Sequence, residues 1–241
     1  MHKNNLRTIS AWLVHLFTAS GAIFGLLSLY AVHQKNMFLA FVYIAITIII
    51  DAIDGTFARI VDVKRHSNID GALLDNIIDF LTFVIVPCFM IMTTNIIHDQ
   101  LKLYSVIIII LASCYQFTQP EAKTSDHFFK GFPSYWSIVV FYLYYWQTSY
   151  ITNVTIITIC GILTFVPIKY IYPSRLTYVS KSHIIRNLIF LLTLIWGAAT
   201  LGLLFTYPNK MPILNMISIG YIIVYFLYSL FLTISPVKKV K

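Results

Sequence analysis

The residues best suited to chemistry in this chain are acids that interrupt apolar segments. Asp51 and Asp54 stand three positions apart after the apolar run MFLAFVYIAITIII, and Asp75 and Asp79 stand four apart in GALLDNIIDF. In a helix, each spacing places both carboxylates on one face. An ionised Asp at the centre of a membrane helix costs roughly 2.5–3.5 kcal/mol on insertion scales, so these pairs indicate a functional site.

Four converging carboxylates would repel one another at low dielectric constant unless they bind protons or cations. Carboxylate oxygens suit Mg²⁺ or Mn²⁺, and a pair of such ions is a common device for displacement at phosphorus. A cation path through a transporter and a structural ion-pair network are the alternatives. Gly55, Ala58 and Gly71 favour the metal site, because small residues let a large ligand approach the backbone. Arg59 adds a guanidinium suited to phosphate.

These acids belong to a chain that is too apolar for a water-soluble domain. Of its 241 residues, 59% are hydrophobic and 11% are charged, and the mean hydropathy is +0.79. A helix needs about 20 apolar residues to cross a bilayer, and continuous apolar runs favour helices over barrel strands. We predict an all-α integral membrane protein that forms one domain over residues 1–241, with about eight transmembrane helices. The fifth is short, so six or seven spans remain possible. The predicted spans are residues 10–32, 37–59, 72–96, 101–117, 135–146, 154–171, 187–206 and 211–234.

Basic residues predict the orientation of these spans. With the amino terminus inside, fourteen of the seventeen Lys and Arg residues fall in cytoplasmic segments, and Lys35, Lys102 and Lys210 fall outside. Positive charge accumulates in cytoplasmic loops, so both termini and the acid-bearing ends of spans two and three are predicted to face the cytoplasm. The net charge of +8 then adjoins anionic lipid headgroups, which explains it better than nucleic-acid binding.

The acids and their small neighbours together form a recognisable pattern. They read DxxDGxxAR followed by GxxxDxxxD, which resembles the signature of the CDP-alcohol phosphotransferases. The spacer of residues 60–70 is longer than in the common form of that signature. Together with the phrases HLFTASG, GALLDNIIDF and FKGFPSYWSIVVFYLYY, it resembles the bacterial phosphatidylcholine synthase branch of the family.

The resemblance implies transfer of the phosphatidyl group of CDP-diacylglycerol to choline with release of CMP, assisted by two divalent cations, Mn²⁺ or Mg²⁺. It implies that Asp51, Asp54 and Asp75 are metal ligands, and that Asp79 is both a metal ligand and the general base. The residues expected to bind CDP-diacylglycerol are Gly55, Ala58, Arg59 and Gly71. The resemblance also implies a homodimer in a bacterial inner membrane, with its active site facing the cytoplasm.

Choline carries a quaternary ammonium, which aromatic faces and a carboxylate can bind. Phe132, Tyr135 and Trp136, with Glu121 before them, are the candidates, although aromatic residues gather at membrane interfaces for other reasons. In the first span, His15, Thr18 and Ser20 could edge the nucleotide site, although helix packing through a face of small residues is the favoured alternative. Serine, glycerol phosphate, inositol phosphate or ethanolamine could replace choline as acceptor, or CDP-choline could be the donor and diacylglycerol the acceptor. A cation-coupled transporter is disfavoured, because the acids occupy one hairpin rather than paired repeats.

Overall fold

The fold is that of a computed structural model, which describes residues 2–120, 122, 128–172, 176, 179–180 and 182–234. In these residues the chain forms ten α-helices, one π-helical turn at Leu81–Ile85 and two short strands. The helices are α1 (His2–His33), α2 (Met37–Val61), α3 (Val63–His66), α4 (Gly71–Phe80), α5 (Val86–Thr93), α6 (Asp99–Thr118), α7 (Trp136–Trp146), α8 (Tyr150–Phe165), α9 (His183–Thr206) and α10 (Pro212–Ile234). The strands β1 (Phe129–Lys130) and β2 (Lys169–Tyr170) pair antiparallel.

Each predicted span coincides with a helical segment, and the prediction of an all-α membrane protein is confirmed. In the described part of the chain, six segments are long and apolar enough to cross a bilayer: α1, α2, Gly71–Thr93, α6, α9 and α10. Helix α8 has 16 residues and α7 has 11, which at 1.5 Å per residue gives about 24 Å and about 16 Å against a hydrocarbon core of about 30 Å. The count of eight and the side of each terminus stay predictions.

The predicted end of the sixth span is wrong. The prediction carried it to residue 171, whereas α8 ends at Phe165 and Lys169–Tyr170 forms strand β2. Pro167 explains the difference, because a proline disfavours helical backbone at the residue before it, here Val166. Val166 accordingly has extended backbone, with φ −87° and ψ 125°.

The described residues divide into two compact units, and the first contains Met1–Asn95 with Trp136–Phe141. Within it, α1 packs along α2 and also contacts α3, α4 and α5. Two glycines allow this close approach. A Cβ on Gly21 would lie 2.9 Å from Ile78 Cγ2, and one on Gly25 would lie 3.1 Å from Thr82 Cγ2. Helix α1 is therefore the element that holds α2 and α4 in register.

The second unit contains Ile96–Tyr135 and Tyr142–Lys241. Helix α6 packs against α8, and α9 packs against α10. A buried polar group supports the second pair, since the Tyr142 hydroxyl contacts Thr200 and Ser218 and accepts a hydrogen bond from Trp196 Nε1 at 2.9 Å. Such bonds stabilise helix packing in membranes. That residues 1–241 act as one domain stays a prediction.

Candidate active site

The two pairs of acids lie where their helices begin and end. Helix α2 runs past Asp51 and Asp54 to Val61, where Asp62 adopts left-handed backbone with φ 53° and ends it. Helix α4 begins at Gly71, because the Asp70 side chain accepts hydrogen bonds from the N–H groups of the next turn at 3.1 Å. This N-cap fixes where α4 starts, and hence the positions of its two acids.

The structure brings these acids together. One carboxylate oxygen from each of Asp51, Asp54 and Asp75 lies within 4.8 Å of the others. Asp54 is 6% exposed, and the other two are half-buried. Asp79 lines the same cavity as this trio. The remaining lining residues are Thr18, Gly21, Thr47, Ile50, Ile78 and Thr82.

The chemistry and spacing of the carboxylates fit a divalent cation. Mg²⁺ binds oxygen at about 2.1 Å, so ligands on opposite sides of one ion are about 4.2 Å apart. The three oxygens all lie within 4.8 Å of one another, so small side-chain rotations would bring them to one ion. At an effective dielectric constant of about 20, two ionised carboxylates at this distance repel by about 3.5 kcal/mol, which a bound cation would offset.

The connection between the acid-bearing helices is anchored on α1. His15 Nε2 and Ser67 Oγ are 3.0 Å apart, and Ser67 Oγ also accepts a hydrogen bond from the Ile69 N–H at 3.1 Å. A Cβ on Gly71 would lie 3.2 Å from His15 Cε1. His15 is 5% exposed, so it packs against the start of α4, whereas Thr18 lines the cavity.

The remaining residues of the signature divide between the surface and the packed interior. Arg59 is exposed; its Nη2 donates to Thr56 Oγ1 at 2.9 Å, and a Cβ on Gly55 would lie 3.4 Å from its Nη1. Ala58 packs against the cluster formed by Ala11, Val14 and Val63. Roles of Gly55, Ala58, Arg59 and Gly71 in binding CDP-diacylglycerol stay predictions.

The aromatic residues predicted for choline differ in accessibility. Phe132 and Tyr135 are half-buried, with ring centroids 6.5 Å from Tyr170 and 6.2 Å from Phe129 respectively. Trp136 is 0% exposed, so contact with choline would require its surroundings to open. Burial raises the pKa of Tyr170, so its phenol stays neutral. Glu121 lies outside the described residues, and the choline assignments stay predictions.

Sequence reasoning missed Gly21, Thr47, Ile50 and Thr82. In a membrane helix, threonine, isoleucine and glycine are common packing residues, so nothing in their types marks them as cavity lining. The spacing of Gly21 and Gly25, one turn apart on α1, was the available signal for a close helix contact. It could have indicated that α1 takes part in building the site.

Comparison with known proteins assigns the class. The model of the CDP-alcohol phosphatidyltransferase family matches residues 9–167, about two thirds of the chain, and this match includes all four acids of the cavity. The chain belongs to the CDP-alcohol phosphatidyltransferase family and is an enzyme, as the signature predicted.

Several curated relatives share a more particular name. A phosphatidylcholine synthase of Legionella pneumophila subsp. pneumophila is 42% identical over 234 residues, which cover 96% of this chain and 92% of the relative. Proteins of the same name from Borreliella burgdorferi and Pseudomonas aeruginosa are 40% and 30% identical. These alignments cover 83% and 85% of this chain, and 87% and 84% of the two relatives. The predicted branch of the family is confirmed.

Proposed function

We propose that this protein makes phosphatidylcholine by transferring the phosphatidyl group of CDP-diacylglycerol to the hydroxyl group of choline, releasing CMP. The observation that carries the proposal is the gathering of Asp51, Asp54 and Asp75, with oxygens within 4.8 Å, at the signature positions of the family. The relatives named phosphatidylcholine synthase support choline as the acceptor, because the similarity extends over more than four fifths of the chain.

Asp51, Asp54 and Asp75 would hold divalent cations, two in number and either Mn²⁺ or Mg²⁺, with Asp79 completing the ligand set. When bound, such ions neutralise the pyrophosphate and stabilise the charge that develops on the departing CMP. Arg59, which is exposed in the last turn of α2, would bind phosphate. Gly55 would let the nucleotide approach the backbone of α2.

Asp79 would accept the proton of the choline hydroxyl group. It lies one turn along α4 from Asp75 and lines the cavity that the other acids share. The hydroxyl oxygen then forms its bond to the phosphorus that carries diacylglycerol, and the bond from that phosphorus to CMP breaks. A positioned base of this kind contributes roughly 10²–10⁴-fold to a reaction rate.

Other predictions are part of the same proposal. Phe132, Tyr135 and Trp136, with Glu121, are proposed to recognise the quaternary ammonium of choline. We also propose a homodimer in the bacterial inner membrane, with the active site facing the cytoplasm. The accumulation of Lys and Arg in the predicted cytoplasmic segments supports that orientation.

The test is an acceptor assay with the purified protein, CDP-diacylglycerol and Mn²⁺. Labelled choline is compared with serine, glycerol phosphate and inositol phosphate, and CMP is measured alongside the lipid product. We expect phosphatidylcholine and CMP in equal amounts with choline alone. Product from another acceptor and not from choline would refute the substrate assignment, and no CMP with any acceptor would refute the activity.

A further inference from the structure

The helix that carries Asp75 and Asp79 changes its hydrogen-bond pattern directly after the second acid. Leu81–Ile85 is a π-helical turn, in which the Val86 N–H bonds to the Leu81 carbonyl. In an α-helix the Val86 N–H would bond to the carbonyl of Thr82 instead. Single π-helical turns inside α-helices occur frequently at functional sites.

This pattern leaves the Thr82 carbonyl without its ordinary backbone donor. The Val86 N–H donates to the Leu81 carbonyl instead. In a π-helical pattern the donor to the Thr82 carbonyl would be the N–H of residue 87, but Pro87 has no N–H group. A buried carbonyl without a donor is costly. Ser137 at the start of α7 fills the gap, because its Oγ donates to the Thr82 carbonyl at 2.6 Å.

Thr82 connects the hydrogen bond from Ser137 to the helical turn that carries Asp79. Thr82 Oγ1 donates to the Ile78 carbonyl at 3.0 Å and lies 3.5 Å from the Asp79 carbonyl. Both Ser137 and Thr82 are at most 2% exposed, and Thr82 lines the cavity with the acids. The turn that carries Asp79 is therefore connected to α7 through Thr82, which bonds to the Ile78 carbonyl on one side and accepts the Ser137 bond on the other.

We propose that Ser137 is a positioning residue for the transfer reaction: it stabilises the π-helical turn and so fixes the direction in which α4 presents Asp79. The proposal rests on the proposed function of Asp79. It assigns Ser137 no contact with either substrate. Loss of the hydroxyl should therefore lower turnover and leave the KM for CDP-diacylglycerol nearly unchanged.

Ser28 provides a matched control. It is 0% exposed, and its Oγ donates to the Ala40 carbonyl at 2.9 Å within the same unit. Ser28→Ala removes the same kind of buried bond away from Asp79. Both alanine variants should lower the thermal unfolding midpoint by similar amounts, while only Ser137→Ala should lower kcat.

The experiment measures CMP release by the full-length wild type, Ser137→Ala, Ser137→Cys and Ser28→Ala. We expect kcat to fall about tenfold in Ser137→Ala and less in Ser137→Cys, whose thiol is a weak donor of similar size. The KM for CDP-diacylglycerol should stay within about twofold, and Ser28→Ala should keep its kcat within the same limit.

Unchanged kcat in Ser137→Ala, or equal losses of kcat in Ser137→Ala and Ser28→Ala, would overturn the proposal. If Ser137→Ala does not fold, wild-type kcat in Ser137→Cys overturns it. CMP release reports turnover with any acceptor, so the comparison of the variants does not depend on choline being the substrate. Formation of phosphatidylcholine by the wild type tests the proposed function separately.

Discussion

Replacing Asp75 by Asn removes one charge from the acid cluster and keeps nearly the same shape. The oxygens of Asp51, Asp54 and Asp75 lie within 4.8 Å of one another, so Asp75 takes part in two of the three pairwise repulsions. Each repulsion is about 3.5 kcal/mol at an effective dielectric constant of about 20. Solvent screening reduces this, because Asp51 and Asp75 are half-buried, and we expect about 1–2 kcal/mol of net stabilisation without metal.

The sign of the effect should depend on metal. In EDTA, Asp75→Asn should unfold about 2–8 °C above the wild type, the shift that 1–2 kcal/mol produces in a chain of this length. In Mn²⁺ at a hundredfold excess over its Kd, the wild type gains about 2.7 kcal/mol from binding. The variant lacks one ligand and gains less, so the order of the two midpoints should reverse.

The assay is thermal unfolding in detergent micelles, followed by intrinsic fluorescence with EDTA and with Mn²⁺. Asp62→Asn is the control, because Asp62 is exposed and its left-handed backbone with φ 53° is one that Asn tolerates. It should behave as the wild type under both conditions. A midpoint of Asp75→Asn below that of the wild type in EDTA would refute the repulsion argument, since it would mean that the carboxylate stabilises the metal-free fold.

Three further predictions concern the proposed base, one glycine and the π-helical turn. Asp79→Asn should reduce CMP release at least about hundredfold while CDP-diacylglycerol still binds; undiminished release would remove the proposed base. Gly131→Ala should lose more than about 2 kcal/mol of stability, because φ is +79° and a Cβ would lie 2.1 Å from a backbone carbonyl oxygen. Gly197→Ala has open space and should leave the unfolding midpoint unchanged or raised, so equal losses would contradict this account. Pro87→Ala supplies a backbone donor and should restore part of the kcat lost in Ser137→Ala, whereas additive losses in a double-mutant cycle would count against the π-turn explanation.

The acid pairs could be predicted because charges in apolar segments are expensive and therefore informative. Helical spacing also indicated which acids share a face, and the structure confirms that Asp51, Asp54 and Asp75 converge. The apolar runs predicted every helical segment except α3, which lies in the spacer between the second and third spans. Pro167 was visible as well, and greater weight on it would have ended the sixth span correctly.

Other features depend on contacts between distant parts of the chain. Helix α1 makes the principal contacts with both α2 and α4, and the spacing of the acids does not reveal this. Pro87 suggests an irregular helix, but Ser137, which donates to the Thr82 carbonyl, stands 55 positions after Thr82 and is an ordinary serine by type. Trp136 illustrates the opposite difficulty, since an aromatic side chain suited to choline is fully buried. Residue type alone does not show that Ser137 makes a buried hydrogen bond or that Trp136 is buried.

The central claim is that carboxylates from two helices form one centre for divalent cations. Anomalous scattering from crystals grown with Mn²⁺ tests it directly, by locating the metal among the side chains. We predict peaks bounded by Asp51, Asp54 and Asp75, with Asp79 beside them, and loss of those peaks in Asp75→Asn. Full occupancy of Mn²⁺ elsewhere, or an active enzyme with no peak at these carboxylates, would contradict the account.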